Sequence, residues 1–90
     1  MAGFFIFILF KNNIMWTEEN NELKRAFKFP DFIQAFSFMT KVAFIAEKMN
    51  HHPNWSNVYN TVEMQLSTHD AGDVVTEKDH KLAKAIDKLL

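Results

Sequence analysis

Residues 30–53 of the chain, PDFIQAFSFMTKVAFIAEKMNHHP, decide its fold. Apolar side chains recur at helical spacing through this stretch. Asp31 and Gln34, three positions apart, have the form of a capping box that starts a helix. Pro53 disfavours helical geometry for the residue before it, so we expect the helix to end near Asn50. The stretch therefore predicts one helix of about five turns.

The apolar side chains of this helix cover more of its circumference than one sheet face can hide. A central stripe is formed by Ala35, Phe36, Met39, Val42, Ala43, Ala46 and Met49. It is widened on both sides by Ile33, Phe38, Phe44 and Ile45. We expect a helix of a second subunit to cover the surplus, around Phe38, Phe44 and Ile45. The alternative is that the phenylalanine-rich N-terminus of the same chain covers it.

Alternating and helical patterns flank this helix. Odd positions from Leu23 to Phe29 are mostly apolar and even ones mostly basic or small, which is typical of a half-buried strand. Thr76 and Asp79 form a second capping box. The helix that follows has an expected inner face of Leu82, Ala83, Ile86, Leu89 and Leu90. The predicted order is strands, helix, strands, helix.

Residues 54–68 alternate as an extended segment, and a turn at Asn60-Thr61 would fold them into a hairpin. In that register the expected pairs are Tyr59 with Val62, Asn57 with Met64, Trp55 with Leu66, and Pro53 with Thr68. Trp55, Asn57 and Tyr59 would then share a largely apolar face with Leu66, Met64 and Val62 of the facing strand. Continued to its open end, the register sets His52 opposite His69.

Composition limits the functions open to the chain. Ninety residues make one small domain, and ten phenylalanines within a 48% hydrophobic composition favour self-association. A net charge of −1 gives no general attraction to nucleic acid. With no cysteine, disulfides, thiolate metal sites and cysteine nucleophiles are excluded, and a reducing cytoplasm is the expected compartment.

The N-terminus carries an apolar run, Phe4 to Phe10. Its seven residues are far short of the ~20 that span a bilayer. Lys11 follows the run instead of preceding it, which disfavours a secretory signal. We expect no membrane partner, and we divide the chain into an atypical apolar segment, residues 1–15, and a domain, residues 16–90.

Histidines are the candidate catalytic residues of the chain. His51 and His52 lie where the long helix ends and His69 where the extended segment ends, whereas His80 is expected on the solvent side of the last helix. A zinc site is disfavoured because adjacent residues in extended geometry point to opposite faces. Acid–base chemistry suits imidazole near neutral pH. The remaining alternative is a set of loop histidines without function.

Seven positions at fixed intervals resemble a known family. Glu47, His51-His52-Pro53, Tyr59, His69 and Asp79 match the pattern of the pterin-4a-carbinolamine dehydratases. The resemblance covers about residues 16–90. The chain departs from it in its apolar N-terminus and in the loop 72–75, where the family has a Gly-Gly-Leu character and one residue fewer.

The resemblance implies an α+β fold, with helices packed on one face of a four-stranded antiparallel sheet in a single domain. It also implies assembly as a homodimer or homotetramer. The implied reaction removes water from 4a-hydroxytetrahydropterin to give quinonoid dihydropterin, after an aromatic amino acid hydroxylase has used the cofactor. No metal or prosthetic group is needed, because the pterin is the substrate.

The resemblance also implies a set of site residues. His51 and His69 take the acid–base steps at the 4a hydroxyl, while His52 mainly positions the substrate and can also abstract a proton. The pocket is shaped by Pro53, Trp55, Thr68 and Asp70, and the supporting residues are Glu47 and Asp79. Some animal relatives are also dimerisation cofactors of a transcription factor, so a non-catalytic interaction module that uses the long-helix face is the alternative function.

Overall fold

The computed structural model of the chain describes residues 15–90. The predicted N-terminal segment 1–15 therefore lies outside the described residues, apart from Met15. The elements are β1 (Thr17–Glu19), β2 (Glu22–Lys28), α1 (Phe32–Met49), β3 (Asn54–Val58), β4 (Thr61–Leu66), one 3₁₀ turn (His69–Ala71) and α2 (Glu77–Asp87). The strands form one antiparallel sheet in the order β1-β2-β4-β3. The predicted α+β class and four-stranded sheet are confirmed. Within residues 15–90, no helix is long and apolar enough to cross a membrane.

The long helix begins and ends where the sequence predicts. The Asp31 carboxylate accepts a hydrogen bond of 2.9 Å from the backbone N–H of Gln34. At the other end Asn50 adopts left-handed geometry with a φ of 51°, and its N–H bonds the carbonyls of Ala46 and Glu47. Asparagine tolerates this geometry better than most residues, so it suits the position that ends the helix.

Replacing Asp31 with alanine is expected to lower the free energy of unfolding by about 1 kcal/mol, because the N–H of Gln34 then loses its capping acceptor. Urea unfolding at neutral pH measures the change as a lower midpoint at an unchanged slope. Asp31→Asn is the matched control, since its amide oxygen still caps the helix. Equal losses in the two variants would contradict the capping account.

The core lies between the sheet and the two helices. The central strands β2 and β4 contribute Leu23, Phe27, Val62, Met64 and Leu66, all with side chains at most 4% exposed. From α1 come Ala35, Phe38 and Val42, and from α2 come Leu82, Ala83 and Ile86. Leu90, expected on the inner face of the last helix, is 60% exposed because α2 ends at Asp87.

The inner face of α1 differs from the predicted stripe. Phe38 is buried against the rings of Phe27 and Phe29, so the prediction of Phe38 as an interface residue is wrong. Ile45 packs against the core but is only partly buried, so its predicted place in an interface stays a prediction. Phe36 is 56% exposed, although it was expected inside. The sheet and α2 cover the line Ala35, Phe38, Val42 and Ala46 instead. Ile33, Phe36 and Phe44 remain exposed, and together we call them the outer face of α1.

The predicted hairpin exists, but its register is wrong by one residue in each strand. Val58 pairs with Thr61 and Trp55 with Met64, so the turn residues are Tyr59 and Asn60. Tyr59, and not the expected Asn60, takes the left-handed geometry, with a φ of 52°. The Asn57 side-chain amide stabilises this turn by donating to the carbonyls of Tyr59 and Thr61. Because the shift totals two residues, the side chains within β3 and β4 keep their predicted faces. Tyr59, expected on the apolar face, lies in the turn and is exposed.

Candidate active site

Three histidines from two segments of the chain line one cavity of about 210 Å³. His51 and His52 follow α1, and His69 follows β4. The rest of the lining is polar: Asn50, Ser67, Thr68, Asp70 and Lys78. His52 and His69 line the same cavity, as expected. The predicted pairing of His52 with His69 is wrong, however, because the observed hairpin register, continued past the strands, sets His52 opposite Ser67.

Backbone geometry places the three imidazoles. The left-handed Asn50 turns the chain out of α1, and the His51 N–H then bonds the carbonyl of Ala46 at 3.1 Å. His69 opens the 3₁₀ turn directly after a bridge in which the Thr68 N–H bonds the carbonyl of Val74 at 2.9 Å. The backbones of His51 and His69 are therefore each fixed at the end of a regular element, and His52 follows His51 directly.

A buried carboxylate holds the first histidine. His51 Nε2 lies 2.6 Å from Oδ1 of Asp79, whose side chain is fully buried at the start of α2. The other carboxylate oxygen, Oδ2, accepts from the Thr76 N–H at 2.9 Å and from the Thr68 hydroxyl at 2.8 Å. The predicted capping box of Thr76 and Asp79 is thus confirmed, and its carboxylate also binds the histidine.

The charge of Asp79 determines which His51 nitrogen carries the hydrogen. Burial raises the pKa of Asp79, but hydrogen bonds from His51, the Thr76 N–H and Thr68, with the charge of His51, bring the pKa below its ordinary value of 3.8. Asp79 is therefore ionised at neutral pH, and an ionised carboxylate only accepts. The hydrogen between the two side chains belongs to His51 Nε2, which leaves Nδ1 as the nitrogen not bound to Asp79.

Two hydroxyls extend this network. Because the Thr68 hydroxyl donates its one hydrogen to Asp79, the 2.7 Å contact between the two threonine hydroxyls takes its hydrogen from Thr76. The Thr76 oxygen in turn accepts from the Lys78 N–H at 3.3 Å. Thr68 was expected to shape the substrate pocket. It lines the cavity, but its hydroxyl points to the carboxylate that holds His51.

The other two histidines also bond carboxylates. Nε2 of His52 lies 3.0 Å from Oε1 of Glu47, one turn back on α1, and both side chains are exposed. Nδ1 of His69 is hydrogen-bonded to Oδ1 of Asp73 in the loop that follows it. The sequence predicted the supporting roles of Glu47 and Asp79 but missed Asp73. Its four-residue separation from His69 was the available signal.

His52 also borders two neighbouring spaces. A polar cleft of about 350 Å³ is shared by His52, His69, Pro53, Ser67, Glu22, Asn54 and Gln65. A more apolar groove of about 510 Å³ runs along α1, lined by Thr40, Ala43, Phe44, Ala46, Glu47, His52, Pro53 and Trp55. Of the predicted pocket residues, Pro53 borders both spaces, Trp55 borders the groove, and Asp70 lines the histidine cavity.

Two predicted residues lie apart from the cavity. Tyr59, one of the seven matching positions, is exposed at the turned end of the hairpin, opposite the end that carries the histidines. His80 is exposed on α2, as predicted. Within residues 15–90, no three His, Cys, Asp or Glu side chains are arranged to hold a metal ion.

Comparison with known sequences gives a consistent result. The family described as "Pterin 4 alpha carbinolamine dehydratase" matches residues 9–89. A relative from Prochlorococcus marinus (strain NATL2A), provisionally named pterin-4-alpha-carbinolamine dehydratase, is 51% identical over 80 residues, which are 89% of this chain and 83% of the relative. One from Solibacter usitatus (strain Ellin6076), named in the same way, is 55% identical over 74 residues, or 82% of this chain and 77% of the relative.

Two solved structures share the fold. A transcriptional coactivator/pterin dehydratase from Brucella melitensis superposes with a TM-score of 0.80 at 41% identity, over 84% of this chain and 82% of that one. A pterin dehydratase-like protein described as a RuBisCO assembly factor in the alpha-carboxysome has a TM-score of 0.72, over 87% of this chain and 92% of that one. At 23% sequence identity, this similarity shows a shared fold only.

Proposed function

Because the chain belongs to the pterin-4a-carbinolamine dehydratase family, we propose that it dehydrates 4a-hydroxytetrahydropterin to quinonoid dihydropterin. The observation that carries the proposal is the cavity lined by three imidazoles, each hydrogen-bonded to a carboxylate. Imidazole can both give and take a proton near neutral pH, and a carboxylate partner fixes which ring nitrogen does so.

The reaction needs one proton given and one proton taken. The C4a–O bond breaks as the hydroxyl oxygen receives a proton and leaves as water. A ring N–H loses its proton, and its electron pair forms the new C=N bond, so the net proton balance is zero. An acid and a base on either side of the ring are sufficient, and the proposal includes no metal or prosthetic group.

We assign the acid–base steps at the 4a hydroxyl to His51 and His69. The buried Asp79 favours His51 as the more rigid of the two, because the Thr68 hydroxyl and the Thr76 N–H hold the carboxylate that in turn bonds Nε2 of His51. His52 borders the cavity, the polar cleft and the apolar groove, which suits a residue that positions the substrate and can abstract a proton. Pro53, Trp55 and Asp70 would contact the bound pterin.

A hydroxylase-coupled assay tests the activity. An aromatic amino acid hydroxylase, supplied with tetrahydropterin and its amino acid substrate, produces the 4a-hydroxy compound. Adding the chain should lower the steady level of that compound in proportion to chain concentration and speed the appearance of quinonoid dihydropterin. No change over a hundredfold range of chain concentration would exclude the dehydratase activity. We also propose that the chain acts in the cytoplasm, on the product of an aromatic amino acid hydroxylase.

We further propose that the outer face of α1 joins subunits in a homodimer or homotetramer. Ile33, Phe36 and Phe44 are 73%, 56% and 75% exposed in one chain, and they lie on one side of the helix. Large apolar side chains that cluster on an exposed helix face mark an interaction surface.

The double variant Ile33→Ser, Phe36→Ser is expected to shift the chain from an oligomer to a monomer in sedimentation velocity, since the association loses its apolar contacts. Circular dichroism should keep its helical signal, because neither residue lies in the core. Leu90→Ser, which removes a 60% exposed side chain outside α1, is the matched control and should leave the oligomer intact. An unchanged sedimentation coefficient in the double variant would contradict the assignment of this face.

The alternative function is a non-catalytic interaction or dimerisation module that uses the same helix face. The exposed apolar side chains of α1 favour it as a second candidate. The two functions are separable, because a module of this kind needs the outer face but not the histidines. Partner binding that survives loss of His51 and His69, in a chain without dehydratase activity, would favour the module.

A further inference from the structure

We propose that Asp73 is a positioning residue for His69. It holds the hydrogen of the His69 ring on Nδ1, so that Nε2 is the nitrogen that exchanges protons in the cavity. The inference rests on the proposed dehydratase function and deepens it, because it assigns a further residue and a specific ring nitrogen to that site.

The first support is the loop geometry, which turns Asp73 back toward the histidine. The Gly72 N–H bonds the carbonyl of His69 at 3.0 Å, and the Asp73 N–H bonds the carbonyl of Thr68 at 3.0 Å. Both Gly72 and Asp73 have positive φ, of 92° and 59°. The bridge between Thr68 and Val74 then closes the loop. The backbone thus presents the Asp73 carboxylate to the imidazole four residues earlier.

The second support is the backbone conformation of Asp73 itself. A left-handed geometry is unfavourable for a residue with a side chain, and glycine adopts it without this penalty. Asparagine and aspartate are the side chains that best tolerate it, because they bond locally. The Asp73 carboxylate bonds His69 Nδ1 from this position. Glycine would adopt this backbone geometry more easily than aspartate, but it has no carboxylate to bond His69. The presence of Asp73 at this position is therefore consistent with a role for its side chain.

The chemistry of the pair fixes the tautomer. An ionised carboxylate has no hydrogen to give, so His69 Nδ1 must be the donor. Nε2 is then the lone-pair nitrogen of the neutral ring. His51 and His52 have the opposite tautomer. Asp79 and Glu47 bond their Nε2 atoms, so Nε2 carries the hydrogen and Nδ1 has the lone pair. The cavity therefore combines imidazoles of both tautomers.

Side-chain ¹⁵N NMR of the histidines tests the tautomer without reference to activity. The His69 resonances are identified by their loss in His69→Gln, in the full chain above the pH at which the rings are protonated. We expect wild type to show a protonated Nδ1 and an unprotonated Nε2 at His69. Asp73→Gly should release the ring to a mixture of tautomers. Asp73→Asn should be intermediate, because its amide can either accept from Nδ1 or donate to it.

Dehydration kinetics test the catalytic consequence. Since both side chains are largely exposed, we expect Asp73→Gly to lower kcat by about two- to fivefold with KM within about twofold of wild type. Glycine and asparagine both accept the left-handed geometry, so both variants should fold. Glu63→Gln removes an exposed carboxylate on β4 outside the histidine cavity and should leave kcat unchanged.

The outcomes separate this inference from the proposed function. A wild-type His69 with its hydrogen on Nε2, or a tautomer unchanged in Asp73→Gly, would overturn the role of Asp73 while dehydratase activity stands. So would an unchanged kcat in Asp73→Gly when His69→Gln is inactive. If the wild-type chain lacks dehydratase activity, the proposed function fails and the catalytic role of Asp73 fails with it, whichever tautomer NMR records.

Discussion

Asp79→Asn is expected to lower the free energy of unfolding by about 2–4 kcal/mol at neutral pH. The carboxylate accepts from His51, from the Thr68 hydroxyl and from the Thr76 N–H in a site without solvent contact. An amide has one oxygen in place of two, so at least one of these buried donors loses its acceptor. The α2 capping box is weakened at the same time.

Urea unfolding at a fixed protein concentration measures this loss as a shift of the midpoint. Asp70→Asn is the matched control, because it removes an exposed carboxylate nearby and should change the free energy of unfolding by less than about 0.5 kcal/mol. If Asp79→Asn is as stable as Asp70→Asn, the buried network does not hold the fold together.

The pH dependence of stability provides a second measurement on Asp79. Its folded-state pKa lies below the ordinary value of 3.8, so its ionised form contributes stability above that unfolded-state value. That contribution is lost as the pH falls through the lower, folded pKa. The difference in unfolding free energy between wild type and Asp79→Asn should therefore be largest above about pH 5 and shrink in stronger acid. A difference of the same size at pH 3 and pH 7 would contradict an ionised, stabilising Asp79.

His51→Gln is expected to reduce kcat for dehydration by a factor of about 10² to 10⁴, the usual contribution of one general acid or base. Glutamine can still donate an amide N–H to Asp79, so the buried carboxylate keeps a partner and the fold is preserved. His80→Gln makes the same substitution on the exposed side of α2 and should retain wild-type kcat.

His69→Gln should show a loss in the same range as His51→Gln, because the proposed mechanism assigns an acid–base step at the 4a hydroxyl to each of them. A variant of either residue that retains more than half of the wild-type kcat would remove that histidine from the acid–base steps. Urea midpoints of both variants, measured in parallel, separate a chemical loss from unfolding.

Local patterns predicted the elements and their boundaries, since each boundary has a local physical cause. The Asp31 cap, the end of α1 near Asn50 and the Thr76 capping box depend on residues within four positions of each other, and all three are confirmed. The alternation from Leu23 to Phe29 likewise corresponds to β2. The three histidines were apparent from their places at the ends of elements, whereas the supporting roles of Glu47 and Asp79 were implied by the family resemblance.

Features that depend on packing or on backbone strain were not predictable in the same way. The buried side of α1 is decided by where the sheet and α2 lie, which is why Phe38 is inside and Phe36 outside. In the observed hairpin Tyr59 adopts a geometry that asparagine tolerates better, and the side-chain bonds of Asn57 to the turn, which support this geometry, were not apparent from the sequence. Asp73 was missed because its partnership with His69 requires a left-handed backbone in a loop.

The most direct test of the dehydratase assignment is stopped-flow measurement of the decay of 4a-hydroxytetrahydropterin in the presence of the wild-type chain. We expect a decay rate that rises in proportion to chain concentration, with quinonoid dihydropterin as product. This increase should be absent when His51 and His69 are both replaced by glutamine in a chain that remains folded. A decay rate in the presence of wild type equal to that in buffer alone would exclude the dehydratase function.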